Sequence, residues 1–483
     1  MNQSALIIGD KEYTWTQIGI VVRGVENRFK DLGLKPGNTL LLTLENSLEY
    51  LASLLAGLTI GCRIAVLNPG TPKELLQNYV DYMGIKLIIT SDKGQYPEGS
   101  TILLEEELKL LLQQFLTLDN GKVWTSDELF SQTLGGVLQL SSGSTGTSKI
   151  VFRTTSALLA EGISYRETLS INEDDIILGA LPLYHSYPQG FCLFGWLLGR
   201  CQLVLKKRFL PGIVLKAIQQ YKITLLPLIP VVARLMVEYS LVFTPLATLR
   251  HAMVGAGPTT KELESMFFKR FGVRLSGNYG STETGALAVR FNSIGENDGF
   301  LGELMYGVKA EVHGFQYKTI DKSELGEIRI QTPAMMAGYL GKDGSLSKEN
   351  DSLGWFPMGD FGSFINQKLH VQGRIKRLID RGGIKINPAK IEFVLLNHPD
   401  ICEAMVVGED RQSITREQRI FVAVVPVTGS KLCERTVREY LKSHLTILEL
   451  PDRIWITDEI PYLPNQKPDY QRLIRIVKGG GKF

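Results

Sequence analysis

The sequence predicts an α/β protein. A large N-terminal domain of parallel-rich sheets covered by helices, with an added β section, precedes a small α+β C-terminal domain. Three observations carry this reading. Short apolar runs alternate with helical stretches from Tyr13 to Phe271, as in a parallel sheet built from strand–helix–strand units. From about Gly302 the texture changes to short alternating runs with turns, as in Gly326–Gln331 and Phe361–Val371. After Gly373 it changes again, into a basic, glycine-punctuated segment followed by a compact α+β pattern. At 483 residues the chain is too long for one core, and the boundary falls at about Ile375, giving domains 1–374 and 375–483.

In chain order, Tyr13–Ile18 gives a short strand and then a helix capped by Thr14 or Thr16 and running to about Leu32. Thr39–Leu44 is a buried strand, Asn46–Gly61 an apolar helix, Ile64–Leu67 a strand, Thr71–Met83 a helix and Leu87–Thr90 a strand. An apolar run at Gly136–Leu140 forms a further strand. The alternation resumes with strands at Ile176–Leu181, Cys201–Leu205, Thr224–Leu228 and His251–Val254. Helices at Gly190–Leu198, Gly212–Gln220, Pro230–Tyr239 and Lys261–Phe271 lie between and after them. The C-terminal unit reads as helix Pro388–Asn397, strands Ala404–Val407 and Ile420–Val425, helix Glu434–Leu445 and strand Arg453–Ile456.

Composition excludes several classes. A hydrophobic fraction of 44% with 21% charged residues is that of an ordinary globular protein. A net charge of +3 does not suggest a nucleic-acid partner. The five cysteines have no metal spacing and read as reduced thiols of a cytoplasmic protein. The N-terminus lacks a signal-peptide pattern, and the longest apolar stretches are too short and too interrupted to be transmembrane segments.

The most informative stretch is Gln139–Lys149. Ser141, Ser142, Gly143, Ser144, Thr145, Gly146 and Thr147 lead to Lys149. Glycines let backbone N–H groups turn inward, hydroxyls donate, and the lysine adds charge, which together suit phosphate. The spacing is not that of a Walker loop, and a Ser/Gly linker has the same composition. Four more stretches decide between these. Leu181–Pro188 ends a strand with His185; Asn278–Gly285 puts Glu283 among hydroxyls on a tight turn; Gly354–Gly362 sets Asp360 between glycines; Leu463–Lys467 places a lysine in a Pro-marked loop.

Taken in this order across nearly the whole chain, these motifs resemble the adenylate-forming superfamily of acyl-CoA synthetases, peptide-synthetase adenylation domains and luciferases. Leu44–Tyr50 and Leu67–Pro69 fit as well. The resemblance implies a mobile C-terminal domain and a two-step reaction. A carboxylate attacks the α-phosphate of ATP, giving an acyl-AMP and pyrophosphate; the C-terminal domain rotates, and a thiol takes the acyl group. It also implies roles for residues. Ser141–Lys149 holds the β- and γ-phosphates, Glu283 carries Mg2+ and Thr282 donates to the α-phosphate. Tyr279 stacks near adenine, on a segment with Asn278 and Gly280, and the turn Gly255, Ala256, Gly257 lines the other side. Asp360 and Arg374 hold the ribose. Lys467 bridges the carboxylate and α-phosphate, Lys376 is the hinge, and Gly382 and Gly383 border the thiol tunnel.

Tyr187, Gln189, Phe191, Gly285 and Ala286 fall where the family lines its acyl pocket, and His185 either gates that pocket or simply caps and packs. His185–Leu198 has no aspartate to pair with a substrate ammonium, which disfavours an amino acid; the apolar and aromatic lining suits a fatty or aryl acid. The chain departs from the family at Ser148 (usually Pro), Ile150 (Gly), Met358 (Thr), Gln466 (Gly), Arg377 (Asp) and Lys390 (Glu). The last two shift the rotating face toward positive charge. The leading expectation is a ligase passing its acyl group to coenzyme A. The alternatives are loading of a carrier protein's phosphopantetheine (acyl or peptidyl), a luciferase-like oxygenase, and a non-catalytic nucleotide-binding scaffold.

Overall fold

The computed structural model describes residues 4–92, 94, 96, 100–117, 123–141, 149–240, 242–257, 259–291, 300–314, 325–365, 368–381, 384–410, 418–462 and 468–478. Among these, the strands form a thirteen-stranded sheet, an eight-stranded sheet and two small sheets of two and three strands.

The large sheet has a parallel middle. Strands Leu275–Ser281, His251–Val254, Leu225–Leu228, Ile176–Gly179, Gln202–Leu205 and Ser4–Ile8 run side by side in one direction. Beyond Leu275–Ser281 the sheet becomes antiparallel through Gly285–Arg290, Phe300–Leu304, Lys368–Arg374, Phe356–Ile365, Gly326–Gln331 and Lys309–His313. The eight-stranded sheet places Gly136–Leu140, Arg63–Val66, Thr39–Thr43, Ile85–Thr90 and Ile102–Leu104 in parallel, with Ile150–Thr154 turned back on Gly136–Leu140.

Local chemistry sets the element ends. Thr14 caps the helix Trp15–Asp31 in a reciprocal box with Gln17, and Ser47 caps Leu48–Ile60, which Gly61 ends in the left-handed conformation. Apart from Glu49, every residue of Leu48–Ile60 is buried, so this helix fills the main core rather than covering a face. Three helices of nine or more residues have no counterpart in the sequence reading: Glu105–Thr117, Thr155–Leu169 and Tyr470–Lys478. Thr155–Leu169 shows no polar stripe because Thr155, Leu158, Glu161, Ser164 and Tyr165 are all buried. The expected helix Gly190–Leu198 is a π-helical turn, Gln189–Phe194, running into a short α-helix, Gly195–Gly199.

The cores separate along the chain. Three apolar clusters use residues up to Leu369, and two others begin at Ile379. Among the described residues, no helix is long and apolar enough to cross a membrane.

Candidate active site

Strands Gly136–Leu140 and Ile150–Thr154 are the two arms of a hairpin whose connection carries the Ser/Gly/Thr stretch. Ser141 closes its base, its N–H and its hydroxyl donating to the Lys149 carbonyl at 2.9 and 3.3 Å. Ser142, Gly143, Ser144, Thr145, Gly146 and Thr147 lie outside the described residues. The Lys149 ammonium stands 4.1 Å over the Tyr339 ring and 2.5 Å from a Glu349 oxygen. The Tyr339 hydroxyl donates to Glu283 at 3.1 Å. Burial and the neighbouring Glu283 and Glu349 carboxylates push that phenol's pKa well up, so it stays protonated and keeps donating. One tyrosine thus joins Lys149, at the end of the Ser/Gly/Thr stretch, to the Glu283 carboxylate. Its sequence signal was only a Gly-Tyr pair after an apolar run. A cavity of about 320 Å³ lies beside it, lined by Tyr79, Tyr82, Lys149, Ile150 and Tyr339 among others.

Glu283 sits between strands Leu275–Ser281 and Gly285–Arg290. The turn is tied on several sides. Thr284 accepts from the Ser281 N–H at 3.3 Å, the Glu283 carbonyl accepts from the Met336 N–H at 2.7 Å, and the Thr282 and Ser186 hydroxyls are 3.4 Å apart. A bulge between Tyr279 and Gly280 tightens the crossing, and a Cβ at Gly280 would lie 2.2 Å from the Gly285 carbonyl oxygen.

The third centre is Asp360. It faces Arg374 across the hairpin formed by Phe356–Ile365 and Lys368–Arg374, and is 3% exposed. The Tyr279 hydroxyl donates to Asp360 Oδ2, and the Arg374 Nε lies 2.7 Å from Oδ1. Burial raises the Asp360 pKa, opposed by the Arg374 guanidinium and the Tyr279 hydrogen bond. Burial and the Asp360 charge hold Tyr279 well above the usual phenol range, so it too remains a donor. Gly359 precedes the aspartate at φ +68°, a conformation that side chains resist.

Among the residues expected at an acyl pocket, His185 is exposed, packs at a tilt against Tyr184 with ring centroids 4.7 Å apart, and precedes the turn Ser186–Pro188. Tyr187 donates to the Met253 carbonyl at 2.8 Å, and its ring packs so close to Gly255 that a Cβ there would be 2.9 Å away. Phe191 is fully enclosed against Tyr165 and Tyr187, and Gln189 is fully buried with Nε2 3.4 Å from the Leu183 carbonyl. Asn278 accepts from Tyr165 at 3.4 Å. Ala256 is exposed and takes φ +62°, strained for a side-chain-bearing residue; Gly257 follows it, also exposed. This turn leaves the C-terminal end of a parallel strand, where ligands bind in open α/β sheets. Gly285 and Ala286 start the strand after the Glu283 turn, and Ala286 is buried.

Lys376 lies in the 3-10 turn Ile375–Arg377. Gly382, Gly383 and Lys467 lie outside the described residues; Tyr462 and Pro468, which flank the Lys467 stretch, form an antiparallel bridge. The basic face expected here has acidic and carbonyl partners. Arg377 pairs with Glu392 at 2.6 Å, Lys385 with Asp380 at 2.6 Å and Lys390 with Glu449 at 2.5 Å. Arg381 donates to the Leu448 and Leu450 carbonyls at 2.9 and 2.8 Å. The substitutions at Arg377 and Lys390 therefore bring in local ion pairs, not a free cationic surface.

Residues 1–340 match the model of the AMP-binding enzyme, and residues 390–467 match that of the AMP-binding enzyme C-terminal domain. The chain belongs to the AMP-binding enzyme family. It is thus a member of the adenylate-forming superfamily that its motifs resemble. It is 27% identical to 4-coumarate–CoA ligase 3 of Arabidopsis thaliana, over 96% of this chain and 87% of that one. With 4-coumarate-CoA ligase 1 of Narcissus pseudonarcissus the identity is 25%, over 95% and 87%. Among solved structures, ATP-bound MatB from Rhodopseudomonas palustris superposes with a TM-score of 0.87 at 20% identity, covering 99% of this chain and 97% of that one. The o-succinylbenzoate CoA synthetase (MenE) of Bacillus subtilis gives 0.80 at 21%, covering 97% and 95%. Both likenesses concern the fold.

The donor set of this family member fits a magnesium nucleotide. Glu283 offers hard carboxylate oxygens beside the Thr282 hydroxyl, with the Lys149 cation linked through Tyr339. Asp360 uses one acceptor site for Tyr279 and one for Arg374, and a carboxylate has about four. Two sites thus remain for the hydroxyls of a ribose.

Proposed function

We propose that this AMP-binding enzyme is an AMP-forming acid–thiol ligase acting on an aryl carboxylic acid, with coenzyme A as acceptor. The observation that carries the reading is the contact through Tyr339, which sets the phosphate-loop lysine beside the Glu283 turn while Asp360, Tyr279 and Arg374 form a separate polar centre. The first suits a polyphosphate and the second a ribose. Tyr187, part-exposed and backed by the buried rings of Phe191 and Tyr165, offers an aromatic face that supports a flat aryl acid, as do the names of the plant relatives.

Joining a carboxylate to a triphosphate requires neutralising like charges and holding the reactants in line. Asp360 and Arg374 anchor the ribose. Lys149 and the hydroxyls of the loop hold the β- and γ-phosphates, and Thr282 donates to the α-phosphate. A magnesium ion bound at Glu283 would supply further neutralisation of the phosphates. Lys467 brings its charge to the attacking carboxylate and the α-phosphate. The acid's oxygen forms a bond to phosphorus as the bond to pyrophosphate breaks. In the second step the thiolate sulfur bonds to the acyl carbon and AMP leaves. Residues 375–483 rotate about Lys376 between the steps, which the division of the apolar clusters near this point supports. Five unpaired cysteines support a cytoplasmic setting.

Carboxylate-dependent ATP–pyrophosphate exchange over a panel of aryl, fatty and amino acids tests the first step. Thioester formation with coenzyme A and with a carrier protein tests the second. Exchange with aryl acids and saturation by free coenzyme A is the expected result. Exchange only with amino acids would overturn the pocket assignment, and strong preference for a carrier would overturn the acceptor.

A further inference from the structure

Behind the site lies an ion pair that the motifs above do not include. Arg153 and Glu161 are each 1% exposed and meet at 2.7 Å. Arg153 lies on the strand that continues from the phosphate loop, and Glu161 on the helix Thr155–Leu169. The second Glu161 oxygen accepts from the Ala286 N–H at 3.0 Å. The carboxylate also stands against two backbones. A Cβ at Gly190, in the π-helical turn after His185, would lie 2.4 Å from the Glu161 carboxyl carbon. A Cβ at Gly285, next to the Glu283 turn, would lie 2.9 Å from that carbon and 3.0 Å from Arg153 Nη2. Gly285 itself has φ +68°.

We propose that the Arg153–Glu161 pair positions the active site. It locks the π-helical turn Gln189–Phe194, which backs Tyr187 through Phe191, to the turn that carries Glu283, and so sets the distance between the bound acid and the phosphates. The inference rests on the function proposed above. Four segments meet at this carboxylate: the strand from the phosphate loop, its own helix, the π-helical turn and the first residues after Glu283. Glycine is required on both contacting backbones because the charged group occupies the space of their side chains. A buried ion pair is weak evidence of a stabilising role, since apolar replacements of similar volume are often neutral or better. Its place here is explained by geometry: one carboxylate accepts a backbone N–H and a guanidinium while abutting two glycines.

The test compares wild type with E161Q, E161M and the double variant R153M/E161M, using melting temperature, ATP–pyrophosphate exchange and direct binding of the acid. Removing one partner alone, in E161M, lowers the melting temperature. The double variant regains it, because no charge is left buried unpaired. Its exchange kcat/KM for the acid nonetheless falls roughly 10²-fold, as expected when reactants are misplaced by about 1 Å. E161Q, which can still accept from the Ala286 N–H, retains more activity than the double variant despite lower stability. A variant of the Arg250–Asp175 pair, which lies at the N-terminal ends of the parallel strands, opposite the Gly255–Gly257 turn, changes melting temperature without changing the KM for the acid. A double variant that melts like wild type and keeps wild-type kcat/KM would overturn the proposal. If wild type binds acid but shows no exchange, the proposed function fails instead, and the pair is then judged on acid binding. Equal affinity in wild type and double variant would overturn it there.

Discussion

Asp360 is buried against two donors, and that environment defines how it titrates. Burial raises its pKa above the ordinary aspartate range. The folded state therefore holds the proton more tightly than the unfolded chain. The residue's contribution to stability falls as pH rises from the unfolded pKa through the folded one, and is level above it. The ribose contact proposed for it needs the ionised form, so nucleotide binding by wild type weakens on acidification at a pH above that of an ordinary carboxylate. Asp360→Asn abolishes this limb and lowers affinity for ATP roughly 10- to 10²-fold at neutral pH, the worth of a hydrogen bond to a charged group. Titration calorimetry with ATP across pH reads both effects; a wild-type acid limb that persists unchanged in the variant would assign it to another group. The motif around Asp360 was legible because Gly359, Asp360 and their flanks lie close together in sequence. The Tyr279 hydroxyl and Tyr339 roles were not, since their partners lie 81 and 56 positions away.

The turn between Leu275–Ser281 and Gly285–Arg290 is a constrained element. The Gly280 bulge brings two backbones too close for any side chain. Gly280→Ala should destabilise the protein by about 1–3 kcal/mol, as overpacking generally does. It should also depress exchange, because the strand shift moves Glu283. Urea unfolding and exchange kinetics measure the two; unchanged stability would show that the bulge relaxes freely. Elements of this kind show how far pattern reading reaches. The Thr14 and Ser47 caps and the alternating strands of the parallel sheets were legible because caps and apolar runs are local. The helix Thr155–Leu169 was missed because burial on several sides erases the amphipathic stripe, and the π-helical turn Gln189–Phe194 was read as an ordinary helix because both share an apolar texture.

For the whole molecule, the two-step reaction turns on the link between its halves. Arg377 fastens the end of the Ile375–Arg377 turn to the C-terminal unit, lying 3.8 Å over the Tyr470 ring and pairing with Glu392. The rotation proposed above would then be absorbed just before it, at Lys376. Lys376→Pro fixes φ there. It should leave ATP–pyrophosphate exchange largely intact while thioester formation falls roughly 10²-fold, the scale of a misplaced reactant. Parallel loss of both half-reactions would place the hinge elsewhere. On the opposite side of the linkage, Tyr462 at the base of the Lys467 stretch lies within electrostatic reach of Arg234, on the helix Pro230–Tyr239 of the N-terminal part. Burial and Glu403 raise this tyrosine's pKa to about 12, with Arg234 pulling the other way.

The sequence by itself determined the family, the order of the motifs, the αβ alternation and the residue types at the positions assigned here to phosphate, ribose and carboxylate. Each of these is written in short windows, where spacing along the chain is also spacing in space. Tertiary structure alone decided that Tyr339 links Lys149 to Glu283, that Arg377, Lys385 and Lys390 are neutralised by Glu392, Asp380 and Glu449, and that Arg153 and Glu161 stand between the π-helical turn and the strand after Glu283. Half of those pairs, Lys149–Tyr339, Tyr339–Glu283 and Lys390–Glu449, join residues far apart in sequence. Even Arg153 and Glu161, only eight positions apart, carry no pattern of their own: their role comes from Ala286, Gly190 and Gly285 being folded against them.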